Sequence, residues 1–94
     1  MRLRNEEVLV LKNSLAKLAF DAKIYLFGSR VDEHKRGGDI DLLVVSDKLT
    51  KRNLRTLRLD FFEHFGEQKI DILLDDGKFK NVFNKIIFEK AVLL

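Results

Sequence analysis

The chain reads as a small two-layer α/β domain with helices packed on a sheet. Three observations carry that reading. Segments of helical periodicity alternate with short apolar runs, in the order helix, strand, helix, strand, helix, strand, helix. One of those runs, Leu42-Leu43-Val44-Val45, is apolar on both faces, as a central covered strand requires. The 94 residues are 46% hydrophobic and 35% charged, with no linker, repeat or low-complexity tract to divide them. One domain spanning residues 1–94 is therefore expected. A chain of this length buries about 60–65% of its unfolded surface, an adequate core without surplus.

Each element has a local reason. Val8, Leu11, Leu15 and Leu18 recur at helical spacing, so Asn5 to Phe20 is an amphipathic helix. Ile24 to Phe27 is a strand that delivers the chain to a turn at Gly28. Ser29 is placed to cap a short helix, with Asp32 and Glu33 in its first turn. The stretch from Val31 to Arg36 is polar and ends in a flexible bend at Gly37-Gly38. Asp39 to Ser46 is the second strand. Thr50 caps the next helix, Lys51 to Phe65, whose buried face is Leu54, Leu57, Phe61 and Phe65, and Gly66 ends it. Lys69 to Leu74 is the third strand. Asp75-Asp76-Gly77 is a turn in which Asp76 is placed to cap the last helix. That helix begins at Phe79 or Lys80 and runs to Lys90, with Val82, Phe83, Ile86 and Ile87 inward. Val92-Leu93-Leu94 adds a short edge strand. This order alone permits a parallel, doubly wound sheet as well as a mixed one.

Composition removes several classes of function. Without cysteine there are no disulfides and no thiolate zinc sites, which is compatible with a cytoplasmic protein. No apolar run approaches the roughly 20 residues of a membrane span. The first residues, Met1-Arg2-Leu3-Arg4-Asn5-Glu6-Glu7, lack the apolar region of a secretory signal. A net charge of +3 permits an anionic substrate without demanding a nucleic-acid partner.

The chemistry is concentrated in three places. Gly28-Ser29-Arg30 follows an apolar strand, and small residues there let backbone N–H groups approach phosphate oxygens. Asp39-Ile40-Asp41 opens the second strand. Residues two apart on a strand share a face, so both carboxylates aim together. Paired carboxylates repel unless a cation sits between them, and hard divalent cations such as Mg²⁺ take such ligands while carrying substrate phosphates. A third acid, Asp71, is embedded in the third strand, with Asp75 and Asp76 close behind.

In this order the three elements resemble the signature of polymerase-β-type nucleotidyltransferases. In particular they resemble the small stand-alone group called minimal nucleotidyltransferases (MNT), the antitoxin partners in HEPN/MNT toxin–antitoxin modules. The resemblance extends from about Ile24 to Leu74. It implies a mixed sheet in the polymerase-β-like fold. It implies that Gly28 and Ser29 hold the triphosphate of ATP or another NTP, with Arg30 at a phosphate. It implies that Asp39 and Asp41 hold two Mg²⁺ ions, and that Asp71 helps hold the catalytic metal and orients the attacking hydroxyl. Gly38 departs from the pattern, since many members carry Ser before the first acid.

The implied activity is Mg-dependent transfer of an NMP, AMP from ATP, to a hydroxyl of a partner protein. Larger members of the superfamily grip their acceptor with an added domain, for which 94 residues leave no room. A separate helical HEPN protein encoded nearby is the expected partner. Two other readings stand beside this one. In the first, the chain is a non-catalytic antitoxin that neutralises its partner by occlusion. In the second, it is an RNA-directed transferase using basic residues of the third helix.

The remaining features read more simply. Lys51, Arg55 and Arg58 share a helix face through spacings of four and three, and with Lys48 and Arg52 read as a solvated surface rather than a docking patch. Few aromatics interleave with them, against a single-strand stacking platform. His34 and His64 have no partner at metal-ligand spacing and read as surface residues. Tyr25 reads as core. The hydrophobic C-terminus is either an edge strand or a surface covered by a neighbour in a homo- or hetero-oligomer.

Overall fold

The computed structural model describes residues 2–32 and 38–94. Glu33, His34, the polar stretch to Arg36 and Gly37 lie outside the described residues. Among those described there are three α-helices, α1 (Asn5–Leu18), α2 (Lys51–Phe65) and α3 (Val82–Lys90). The four strands are β1 (Lys23–Phe27), β2 (Ile40–Val45), β3 (Ile70–Asp75) and β4 (Val92–Leu93). They form one sheet in the order β3-β2-β1-β4.

The connections explain why the sheet is mixed. Between β1 and β2 the described residues hold only the short turn Gly28–Val31, and the two strands pair antiparallel, Phe27 opposite Asp41 and Lys23 opposite Val45. Between β2 and β3 the chain passes through α2, and these strands are parallel, with Asp41 opposite Asp71. β4 returns antiparallel to β1, and the Leu94 N–H donates to the Ile24 carbonyl at 3.0 Å. The C-terminal residues thus make the edge strand, and Leu94 packs against the core.

The main core lies between one face of the sheet and α1 with α2. Ile24, Leu26, Ile40, Leu42 and Val44 meet Leu11 and Leu15 of α1 and Leu54, Leu57 and Phe61 of α2. Alternation sends Tyr25 and Leu43 to the opposite face. There Tyr25 meets Phe88 of α3 edge to face, with ring centroids 5.0 Å apart, and Phe79 lies 4.5 Å from Phe88. Leu43 is fully buried.

Helix ends follow their capping chemistry. The Glu7 carboxylate accepts from the Arg4 N–H at 3.0 Å and opens α1. At α2 the Thr50 N–H donates to Asn53 Oδ1 at 2.9 Å, and Gly66, at φ 82°, closes the helix. α1 stops at Leu18 because Ala19 is already extended, two residues before the periodicity suggested. The Ser14 hydroxyl donates to the Asp60 carboxylate and ties α1 to α2.

The last helix departs most from the sequence reading. Its cap is Asn81, whose side-chain oxygen accepts from the N–H groups of Phe83 and Asn84. Asp76 instead accepts from the Lys78 N–H at 2.8 Å and closes a turn. Val82, Phe83 and Ile86 face outward, 69%, 63% and 60% exposed, and only Ile87 of the four is half-buried. The reason is polar. Asn84 is buried and donates from Nδ2 to Leu74 O at 3.2 Å and to the Asp75 carboxylate at 3.1 Å. Asp75, also buried, ends β3 and further accepts from the N–H groups of Gly77 and Phe79. Turning Asn84 inward turns the three apolar residues out.

Burial alone would raise the Asp75 pKa. The hydrogen bonds donated by Asn84, Gly77 and Phe79 outweigh it and hold the carboxyl below its ordinary range. Its contribution to stability is therefore complete above the unfolded value of about 3.9 and is lost as the pH falls below it. Asn84→Ala should cost about 1–3 kcal/mol in urea unfolding at pH 7. Asp75→Asn should flatten the acid limb of the stability–pH curve, as measured by thermal melts from pH 7 downward.

Candidate functional site

The site lies at the start of the parallel β2–β3 pair, on the face opposite the main core. Asp41 and Asp71 are Cα partners in adjacent strands, so their side chains leave the sheet on the same side. Pairing begins at Ile40, one residue later than the sequence suggested, and Asp39 sits just ahead of it. The Ile40 N–H donates to the Lys69 carbonyl at 3.2 Å, which puts Asp39 beside Lys69. Lys69 Nζ is 3.3 Å from Asp39 Oδ2.

The small-residue turn closes the other side. Gly28–Val31 forms a single 3-10 turn with Phe27 as its cap. Ser29 lies inside this turn and does not cap a helix. Gly28 has φ +77°, and a Cβ there would run into the Asp41 carboxylate. Only glycine lets the backbone pass this close to the acid. Gly38, at φ +89°, meets the Ser29 hydroxyl in the same way. A serine at that position would therefore be strained here by the left-handed backbone and would meet the Ser29 hydroxyl.

Arginines fix the turn from behind. Arg30 donates from a terminal nitrogen to Arg2 O at 3.0 Å and from Nε to Gly38 O at 3.4 Å. Arg2 donates to Ser29 O and to Asp32 O, each at 3.0 Å, and its N–H donates to Arg30 O at 2.7 Å. The sequence reading missed Arg2, which nothing in the local pattern marks. It also left Lys69 without a role, although its place two residues before Asp71 becomes informative once β2 and β3 are aligned in parallel.

Asp41 records the electrostatics. Burial raises its pKa, the Asp71 and Asp39 carboxylates raise it further, and the Lys69 ammonium offsets part of the rise. Among the described residues, no three metal-ligating side chains already converge on one point. The donor set nevertheless fits a hard divalent cation. It offers carboxylate oxygens, and at least one of them is held against its own charge by two like neighbours.

With this geometry in place, the comparison with known families is decisive. The family model for a nucleotidyltransferase domain matches residues 10–94. The chain belongs to that family. The match takes in the Gly28-Ser29 turn and all three acids, and the mixed sheet with its helices is the polymerase-β-like fold expected of a nucleotidyltransferase domain. No curated protein matches the chain. Among the described residues no helix is long and apolar enough to cross a membrane.

A raised pKa means that ionising Asp41 opposes folding as the pH rises past the ordinary carboxylate range. Asp41→Asn should therefore raise the melting temperature at pH 7 in buffer containing a chelator. Excess Mg²⁺ should stabilise the parent chain and leave the variant unmoved, a contrast that differential scanning fluorimetry would reveal. Gly28→Ala should destabilise the protein through the left-handed φ and the contact with Asp41 together.

Proposed function

We propose that this nucleotidyltransferase domain transfers AMP from ATP to a hydroxyl of a partner protein, as the antitoxin of a HEPN/MNT pair. The observation that carries the site assignment is the approach of the Gly28 turn to Asp41, with Asp71 in register beside it. The protein acceptor and the antitoxin role rest on the resemblance to minimal nucleotidyltransferases.

In this reading the backbone at Gly28 and the Ser29 hydroxyl bind the β- and γ-phosphates. The donors of Arg30 left over from Arg2 and Gly38 offset phosphate charge. Asp39, Asp41 and Asp71 hold two Mg²⁺ ions, which when bound lower the pKa of the acceptor hydroxyl and neutralise the leaving group. Lys69 gives up Asp39 when the site fills. Asp71, the most exposed of the three acids, orients the acceptor hydroxyl. The acceptor hydroxyl gives up its proton to solvent, its oxygen forms a bond to the α-phosphorus, the bond from that phosphorus to the bridging oxygen breaks, and pyrophosphate leaves.

Occlusion without transfer is the competing reading. The ion pair between Lys69 and Asp39 favours it, because that pair satisfies one acid without a metal. Intact-mass spectrometry of the adjacent helical protein, after incubation with this chain, Mg²⁺ and ATP, separates the two. Transfer predicts a mass gain of one or more AMP units that needs Mg²⁺ and falls about 10²-fold or more in Asp39→Asn and Asp41→Asn. Tight complex formation with no adduct would establish occlusion instead.

A further inference from the structure

The outer edge of β3 and the basic face of α2 enclose a groove of about 430 Å³ that the nucleotide site does not use. On β3, Asp71 points to the opposite face, whereas Ile72 and Leu74 turn toward α2 and pack on the main core. Lys51, Arg55 and Arg58 line the other wall.

The backbone of this edge is open. The Ile40 N–H donates to Lys69 O at 3.2 Å and the Ser46 N–H to Asp75 O at 2.9 Å, so the odd-numbered residues of β3 direct their amide groups at β2. Alternation then turns the N–H and C=O groups of Ile70, Ile72 and Leu74 away from the sheet. The bond from Asn84 Nδ2 to Leu74 O bears out that direction and closes one end of the edge. Among the described residues no strand lies beyond β3.

The charges are open as well. Among the described residues, none of Lys51, Arg55 and Arg58 is in an ion pair. Arg58 Nε is buried without a hydrogen-bond partner. An unpaired strand edge is a template for another chain, and a basic wall beside it selects for acid. We infer that the groove receives an extended acidic segment of a partner protein, which adds as a strand to β3 and sets its carboxylates against Lys51, Arg55 and Arg58. The apolar floor and the free backbone groups favour a peptide over RNA, because no aromatic side chain lines the groove for base stacking. The solvated surface read from sequence is thus one wall of a docking groove.

The test is fluorescence anisotropy with the full chain and a labelled peptide of about ten residues alternating Glu and Val. Saturable binding is expected. Arg55→Glu, a change at an exposed position that leaves the core intact, should weaken it by about tenfold or more. Methylating alternate peptide nitrogens should abolish it, and bound peptide should slow amide exchange at Ile72. Asp41→Asn should bind as the parent does, which separates this groove from the nucleotide site. Absence of saturable binding would overturn the proposal, as would equal binding of the methylated peptide. So would preferential binding of an oligouridylate that Arg55→Glu removes.

Discussion

The parallel pairing of β2 with β3 is the constraint on which the rest of this structure depends. Its register sets Asp41 beside Asp71 and brings Asp39 to Lys69, and among the described residues no strand lies beyond β3. Moving β3 by one residue would send Asp71 into the core face and Ile70 and Ile72 to the other side. The apolar contacts of Ile40, Leu42 and Ile70 with α2 therefore hold the acids in place from behind. Core and site are two faces of one pairing.

That arrangement concentrates negative charge at one end of the sheet. Asp41 is half-buried, and two carboxylates near it raise its pKa while the exposed Lys69 ammonium offsets part of the rise. A fold selected for stability alone would not keep such a group, since burial and two like charges together outweigh Lys69 and make its ionisation harder. At the other end of β3, Asp75 is more deeply buried and yet kept ionised by donors from Asn84, Gly77 and Phe79. The contrast is chemical. Asp75 is fully served by the protein, whereas Asp41 is left wanting a cation.

Much of this was legible in the residues, because local patterns carried it. The boundaries of α2, its Thr50 and Gly66 ends, and the three strands followed from periodicity and capping residues. The Gly28 turn, Asp39, Asp41 and Asp71 were singled out by their resemblance to the family signature, with alternation along a strand as the local reason to pair Asp39 with Asp41. What failed was set by contacts distant in sequence. Val82, Phe83 and Ile86 looked inward because they are apolar, but the polar demand of buried Asp75 decided the rotation of α3. Arg2 binds Ser29 O and Asp32 O across 27 and 30 residues, with no pattern to announce it.

Gly38 shows how a departure from a family pattern acquires a reason only in three dimensions. Read alone, it is a lost hydrogen bond ahead of the first acid. In the folded chain it occupies a left-handed backbone conformation in which a side chain would meet the Ser29 hydroxyl, and its carbonyl accepts from Arg30 Nε. The turn and the acidic strand are thus joined through Gly38 by close backbone packing in place of a serine side chain. A side chain at position 38 would be strained by the positive φ and would turn the Ser29 hydroxyl aside. Position 38 thus has a backbone reason to be glycine, a left-handed φ beside the Ser29 hydroxyl, that the sequence alone does not show.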